Sequence, residues 1–106
     1  MVLVELTPFI AFRQAHWTDD ELRDLQNHLL ENPSAGDVIR GSGGLRKLRW
    51  SAAGRGKRGG ARVIYYHYAS VQHIYLIYGY TKSEQDDLTQ DQVKLLAQLM
   101  KDISHG

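Results

Sequence analysis

Two adjacent segments with the composition of β-strands place the strongest constraint on the fold of this chain of 106 residues. Segments 61–68 (ARVIYYHY) and 73–80 (HIYLIYGY) are rich in valine, isoleucine and tyrosine, residue types that favour strands. Only residues 69–72 connect them, and a connection of that length is typical of a β-hairpin. The sequence therefore predicts an antiparallel pair of strands here.

Three helices are predicted from their termini and their apolar faces. A Thr-Pro pair near the N-terminus begins the first, because proline fits the first helical position. Thr18 and Glu21 have the spacing of a capping box and begin the second helix, which the Asn-Pro pair at 32–33 ends. Thr89 and Gln92 form another capping-box pattern ahead of an apolar, leucine-rich face, so they predict a C-terminal helix.

Two further strands, at 2–6 and 45–50, and two loops, at 33–44 and 51–60, complete the predicted order β-α-α-β-β-β-α. We expect an α+β fold, in which a small antiparallel-rich β-sheet packs with two N-terminal helices and a C-terminal helix. The length suits a single domain over residues 1–106.

The charges are unevenly distributed, although the net charge is only +1. Residues 38–83 carry nine basic side chains and no acidic one. Residues 1–37 carry seven acidic and two basic side chains, and residues 84–106 carry five acidic and two basic ones. A cationic segment between acidic segments indicates an anionic partner, most often a nucleic acid.

Residues that are absent from the sequence exclude several kinds of site. The chain has no cysteine, which excludes disulfides, thiolate catalysis and cysteine-ligated zinc, and which fits a cytoplasmic protein. The five histidines lack the H-x-x-x-H spacing and residues 38–83 contain no carboxylate, so we expect no metal and no other cofactor. No apolar run approaches the roughly 20 residues that span a bilayer. The N-terminal segment has no basic leader, so we expect neither a signal peptide nor a membrane partner.

Residues 54–59 (GRGKRG) match the G-x-G-x-x-G pattern of dinucleotide sites. Such a site requires a helix directly after the loop, whereas the next segment has the composition of a strand, so we interpret the match as accidental. The loop is then either a flexible hairpin connection or a segment in which glycines bring Arg55, Lys57 and Arg58 close to a phosphate chain. The three cations favour the second interpretation.

Strand alternation predicts which side chains share a face of the sheet. One side of the third strand presents Arg62, Ile64, Tyr66 and Tyr68, and one side of the fourth presents Leu76, Tyr78, Tyr80 and Lys82. In the second strand, Leu45, Lys47 and Arg49 alternate with Arg46, Leu48 and Trp50. Arg62 and Lys82 both lie at the end away from the hairpin turn and can therefore converge. The alternative is a pair of edge cations that extend into solvent.

Two other sets of titratable residues have weaker patterns. His67 and His73 are predicted to face each other across the hairpin, where they are acid–base candidates or, more simply, partly buried strand histidines. Glu84, Asp86 and Asp87 follow the cationic segment and are interpreted as solvated polar and helix-start residues. We favour the structural interpretation for both sets.

Three segments, read in order, resemble the HigB branch of the RelE-like toxins: 36–50 (GDVIRGSGGLRKLRW), 54–66 (GRGKRGGARVIYY) and 80–89 (YTKSEQDDLT). These proteins are the toxins of bacterial type II toxin–antitoxin modules. The resemblance implies a small α+β fold and an endoribonuclease that cleaves messenger RNA, typically in the ribosomal A site. It also implies the absence of a metal cofactor and a cognate antitoxin protein as a partner.

The resemblance further implies roles for individual residues. Catalysis falls to Arg62, the arginine of GGARV, and to Lys82, the lysine after the last strand, with Lys57 and Tyr80 as further catalytic candidates. The remaining cations are expected to bind messenger or ribosomal RNA: Arg46, Lys47, Arg49, Arg55 and Arg58. No histidine–glutamate pair of the kind used by better-known ribonucleases is evident.

Three other functions are compatible with these residues. A relative in the same superfamily poisons DNA gyrase and leaves messenger RNA intact. A non-catalytic RNA-binding module would use the cations for binding alone. An antitoxin-bound structural protein would keep the fold with a degenerate site.

Overall fold

The computed structural model describes residues 1–51 and 60–105. Within these ranges the helices and strands are β1 (Val2–Glu5), α1 (Thr7–His16), α2 (Asp19–Glu31), β2 (Asp37–Val38), β3 (Arg46–Trp50), β4 (Ala61–Tyr68), β5 (His73–Thr81) and α3 (Gln90–His105). The predicted α+β class and element order are confirmed, with β2 as one additional strand. No helix within these ranges is both long enough and apolar enough to cross a membrane.

The described strands form one mixed sheet in the order β1-β5-β4-β3-β2. β1 pairs with β5 in parallel, and the other pairs are antiparallel. The prediction of a continuous loop over 33–44 was wrong, because Asp37 and Val38 pair with Lys47 and Arg46 at the sheet edge. A two-residue strand has no sequence periodicity of its own, so only its partner strand reveals it.

Both predicted capping boxes are present. The Thr18 hydroxyl accepts from the Glu21 backbone N–H at 3.2 Å, and the Glu21 carboxylate accepts from the Thr18 N–H at 2.9 Å. Thr89 and Gln92 make the same reciprocal pair at 3.1 and 2.9 Å ahead of α3. Each box satisfies two backbone donors that a helix N-terminus otherwise leaves without partners.

The sheet is covered by helices on both faces, so alternate residues of its central strands belong to different apolar clusters. The α1–α2 face includes Phe9, Leu25 and Val63. The α3 face includes Ile64 and Met100. Burial of these side chains, at about 1.5–3 kcal/mol each for a large aliphatic or aromatic group, fixes which strand face turns towards which helix.

A bulge in β5 shifts the alternation that the sequence predicts. Ile64 pairs with Tyr78, but its neighbour Tyr65 pairs with Leu76, so Ile77 is the extra residue. Leu76 therefore lies on the α1–α2 face, and the prediction that it shares a side with Tyr78 and the rest of its row was wrong. One inserted residue moves every later side chain to the other face.

The hairpin turn also separates the two strand histidines. A 3₁₀ turn at Ala69–Val71, followed by Gln72 in the left-handed region (φ 55°), closes the hairpin so that Tyr68 pairs with His73. His67 then pairs with the next residue of β5, and the two histidines lie on opposite faces. The prediction that His67 and His73 face each other was wrong. It requires His67 to pair with His73, whereas the turn pairs Tyr68 with His73, a register that differs by one residue.

Candidate functional site

One row of side chains crosses β3, β4 and β5 at the end of the sheet away from the hairpin turn. Arg49 pairs with Arg62, and Arg62 pairs with Tyr80, so all three lie on the α3 face. Lys47 lies in the next row on the same face, opposite Ile64. We call the set of Lys47, Arg49, Arg62 and Lys82 the cationic face.

Three members of the cationic face line a single cleft of about 440 Å³. The described residues around it are Arg49, Trp50, Ser51, Gly60, Arg62 and Lys82, and none of them is a carboxylate. The Gly60 carbonyl accepts from the Lys82 backbone N–H at 3.3 Å and from Arg62 Nη1 at 3.4 Å. The structure thus brings Arg62 and Lys82 together, as strand alternation predicts, in a setting suited to an anion.

A second groove of about 580 Å³ adjoins this cleft at the β2 edge of the sheet. Arg49 lines both, and Lys47 lines the groove from the same face. We call this cavity the β2 groove. The cleft and the groove therefore share one lining residue, Arg49, and lie next to each other on the sheet.

Asp87, in the connector between β5 and α3, contacts the cationic face directly. Its Oδ1 accepts from the Leu88 backbone N–H at 2.8 Å, from Lys47 Nζ at 3.1 Å and from the Tyr80 hydroxyl at 3.3 Å. The Leu88 hydrogen bond first, and then Lys47, hold the pKa of Asp87 below its usual value. The carboxylate is therefore ionised at neutral pH and balances part of the positive charge around it.

Tyr80 lies beneath the cationic face rather than on its surface. Its side chain is only 2% exposed, and its hydroxyl donates to Asp87. Burial, and then the charge of Asp87, raise the pKa of Tyr80 to about 12. The phenol therefore stays protonated at neutral pH, so it acts as a hydrogen-bond donor and not as a base.

A family model for the RelE toxin of the RelE/RelB toxin–antitoxin system matches residues 11–105. The chain belongs to the RelE toxin family. The E. coli toxin RelE, solved in the free state as a variant with two arginines changed to alanine, has a similar fold at a TM-score of 0.56. That match has 16% sequence identity and covers 80% of this chain and 86% of the other. The RelE-family chain is thus the toxin of a toxin–antitoxin system, with an antitoxin as its partner, while its place in the HigB branch stays a prediction.

The structure of this RelE-family toxin places one predicted RNA-binding residue away from the others. Arg46 lies on the α1–α2 face, opposite Tyr65, and its Nη1 donates to the Gly36 carbonyl at 2.8 Å and to the Ser34 carbonyl at 3.4 Å. Arg46 therefore fastens the segment before β2 to β3 and does not line the cleft. A strand reverses its side-chain direction at every residue, which separates Arg46 from its neighbour Lys47.

Three predicted residues of the RelE-family toxin, Arg55, Lys57 and Arg58, lie outside the described residues. Asp87 is a site residue that the sequence analysis missed, since it was interpreted as a solvated connector residue. Its partner Lys47 lies 40 residues away, and no local pattern signals a contact over that separation. Within residues 1–51 and 60–105, no three histidine or acidic side chains gather closely enough to hold a metal ion.

Proposed function

We propose that this RelE-family toxin is a metal-independent endoribonuclease that cleaves messenger RNA on the ribosome. It acts in the cytoplasm as a single domain, inhibits translation and arrests growth until its cognate antitoxin binds. The observation that supports this most strongly is the cleft itself, where Arg49, Arg62 and Lys82 meet without a carboxylate among the described lining residues. A cleft of that composition suits a phosphodiester and disfavours a divalent cation.

RNA supplies its own nucleophile, the 2′-hydroxyl, so the protein needs none. The enzyme must align that hydroxyl with the phosphate, accept its proton, stabilise the additional negative charge and protonate the leaving 5′-oxygen. Arg62 suits the third task, because a guanidinium stays charged and bonds two phosphate oxygens at once. Its half-buried position and its contact with the Gly60 carbonyl hold the guanidinium at the cleft.

In this proposal Lys82 or Lys57 accepts the proton of the 2′-hydroxyl or protonates the leaving 5′-oxygen, since a lysine amine serves as either acid or base. Lys82 is exposed at the cleft, whereas Lys57 belongs to the segment outside the described residues. Tyr80 orients Asp87 through their hydrogen bond, and Asp87 in turn orients Lys47. Lys47 and Arg49 then bind the RNA backbone next to the scissile phosphate, with ribosomal RNA as a further ligand of the same face.

A cleavage assay tests the proposal. Purified toxin is mixed with messenger RNA, with and without ribosomes, in a magnesium-containing buffer that keeps the ribosomes intact. We expect internal fragments only where ribosomes are present, and we expect the Arg62→Ala variant to produce none. Intact messenger RNA together with growth arrest would instead favour a gyrase poison, which a supercoiling assay detects.

The same variant separates catalysis from binding alone. If the cations only bind RNA, toxicity should follow RNA affinity across the variants of the cationic face. Under the proposed function, Arg62→Ala loses toxicity while its affinity for RNA changes little. Co-expression of the antitoxin gene should restore growth in cells that express the wild-type toxin.

A further inference from the structure

The β2 groove has lining residues that the proposed cleavage chemistry does not use, beside Lys47, Arg49 and Asp87, which it does use. The lining combines apolar residues, cations and carboxylates, namely Leu88 and Val93, then Arg40, Lys47 and Arg49, and finally Asp37 and Asp87. The groove volume of about 580 Å³ lies within the range of about 300–1,000 Å³ that is typical of small-molecule sites. Leu88 packs against the apolar cluster of the α3 face, whereas Val38 pairs with Arg46 and therefore turns its side chain towards the α1–α2 face.

This combination matches the chemistry of a single-stranded nucleotide. Proteins bind such nucleotides by placing the base against an apolar or aromatic surface while cations bind the backbone phosphates. Arg49 lines both the groove and the cleft, so the groove is the neighbouring cavity for a nucleotide next to a phosphate held in the cleft. The groove therefore lies beside the site of the proposed reaction.

Asp87 adds a hydrogen-bond acceptor to this groove. All three hydrogen bonds that its carboxylate makes within the described residues use Oδ1, so Oδ2 has none there. The side chain is 65% exposed and lines the groove. A carboxylate accepts from the exocyclic amino group of cytosine, whereas uracil presents a carbonyl oxygen at the same position.

We propose that the β2 groove binds the nucleobase next to the scissile phosphate, and that Asp87 favours a base with an amino group, so that cytosine binds better than uracil. The inference rests on the proposed function for the identity of the ligand as RNA. The Lys47–Asp87 ion pair then has a second role, because Lys47 holds the carboxylate in place and offsets its repulsion of the RNA backbone.

Equilibrium binding tests this site without cleavage. The probes are 2′-O-methyl oligocytidine and oligouridine of equal length, which lack the nucleophilic hydroxyl, titrated with the full-length toxin at low salt by fluorescence anisotropy. One added hydrogen bond corresponds to a preference for oligocytidine of roughly three- to tenfold. Asp87→Asn should remove that preference, because an amide pairs with the carbonyl of uracil as well as with the amino group of cytosine.

Two further variants leave the Lys47–Asp87 pair intact. Val93→Asp and Arg40→Gln should each weaken the binding of both oligonucleotides by several-fold, since they change the apolar surface and a cation of the groove. Arg23→Gln removes a cation from the exposed side of α2, against the other face of the sheet, and should leave both affinities unchanged. Circular dichroism establishes that each variant is folded.

The outcomes separate this inference from the proposed function. Equal binding of the two oligonucleotides by the wild-type toxin, no binding of either, or an unchanged preference in folded Asp87→Asn would overturn the inference. Such a result together with normal cleavage of messenger RNA leaves the proposed function intact. A cytosine preference that Asp87→Asn removes, in a toxin that cleaves no messenger RNA, supports the groove and refutes the proposed function.

Discussion

Lys47 and Asp87 form an ion pair across the α3 face of the sheet, with 3.1 Å between Nζ and Oδ1, although 40 residues separate them in the chain. The same carboxylate oxygen accepts from the Tyr80 hydroxyl at 3.3 Å. The connector after β5 is thereby fastened to both β3 and β5. Lys82 begins that connector, so these contacts help to hold Lys82 beside Arg62 at the cleft.

Arg62→Ala should reduce the single-turnover rate of messenger RNA cleavage by at least about 100-fold, the usual cost of removing one group that stabilises transition-state charge. The variant should stay folded, because the only hydrogen bond of the Arg62 side chain within the described residues is a 3.4 Å contact with the Gly60 carbonyl. Arg23→Ala is the matched control, and it should cleave at the wild-type rate. Undiminished growth arrest by Arg62→Ala would contradict its assignment to catalysis.

Arg49→Gln should weaken RNA binding and also make it less sensitive to salt. Each phosphate contact on a single strand contributes a slope of roughly 0.7 to the plot of log affinity against log salt concentration. Arg49 is exposed and lines both the cleft and the groove, so we expect one such contact to disappear. Affinity measured at several salt concentrations checks this, and parallel plots for variant and wild type would argue against a phosphate contact.

Tyr65→Phe should lower the free energy of unfolding by about 1–3 kcal/mol, the cost of leaving buried polar groups without partners. The fully buried Tyr65 hydroxyl donates to the Pro33 carbonyl and accepts from the Gly36 N–H, each at 2.9 Å. Urea denaturation measures the change. Tyr68→Phe is the control, since the Tyr68 hydroxyl makes no hydrogen bond within the described residues, and a similar loss there would show that the bonds of Tyr65 are not the cause.

Tyr80 should make the stability of the toxin depend on pH in the alkaline range. Burial, and then Asp87, raise its pKa from 10.0 in the unfolded chain to about 12 in the folded protein. The unfolded chain therefore releases this proton first, so the stabilising contribution is complete below pH 10 and is lost as the pH rises towards 12. Between pH 10 and pH 12, the free energy of unfolding of Tyr80→Phe should fall less than that of the wild type. Urea denaturation at several pH values measures both. Equal losses would show that Tyr80 is not the titrating group.

Local features of the sequence account for the parts of the fold that were predicted correctly. A capping box such as that of Thr18 and Glu21 is complete within four residues, and it forms as the spacing predicts. The bounds of β4 match the predicted segment 61–68, because valine, isoleucine and tyrosine carry the strand preference themselves. The convergence of Arg62 and Lys82 was also predictable from the sequence, because it depends only on the hairpin and on strand alternation.

Features that depend on the register between strands were not predictable in this way. The extra residue Ile77 has the same strand-like composition as its neighbours, so nothing in the segment distinguishes it from a paired residue. The two-residue strand Asp37–Val38 exists only because β3 lies beside it. The alternation rule therefore places Leu76 on the wrong face, while it remains correct for Tyr78 and Tyr80 beyond the bulge.

The sequence by itself determined the α+β class, the helix starts and the concentration of cations in residues 38–83, because propensity, capping and charge are properties of single residues and near neighbours. Only the tertiary structure decided which cations act together. Arg46 and Lys47 are adjacent in sequence but lie on opposite faces of the sheet, whereas Lys47 and Asp87 are far apart in sequence and in contact. Strand pairing and the burial of two apolar faces set those positions, and both are properties of the folded chain as a whole.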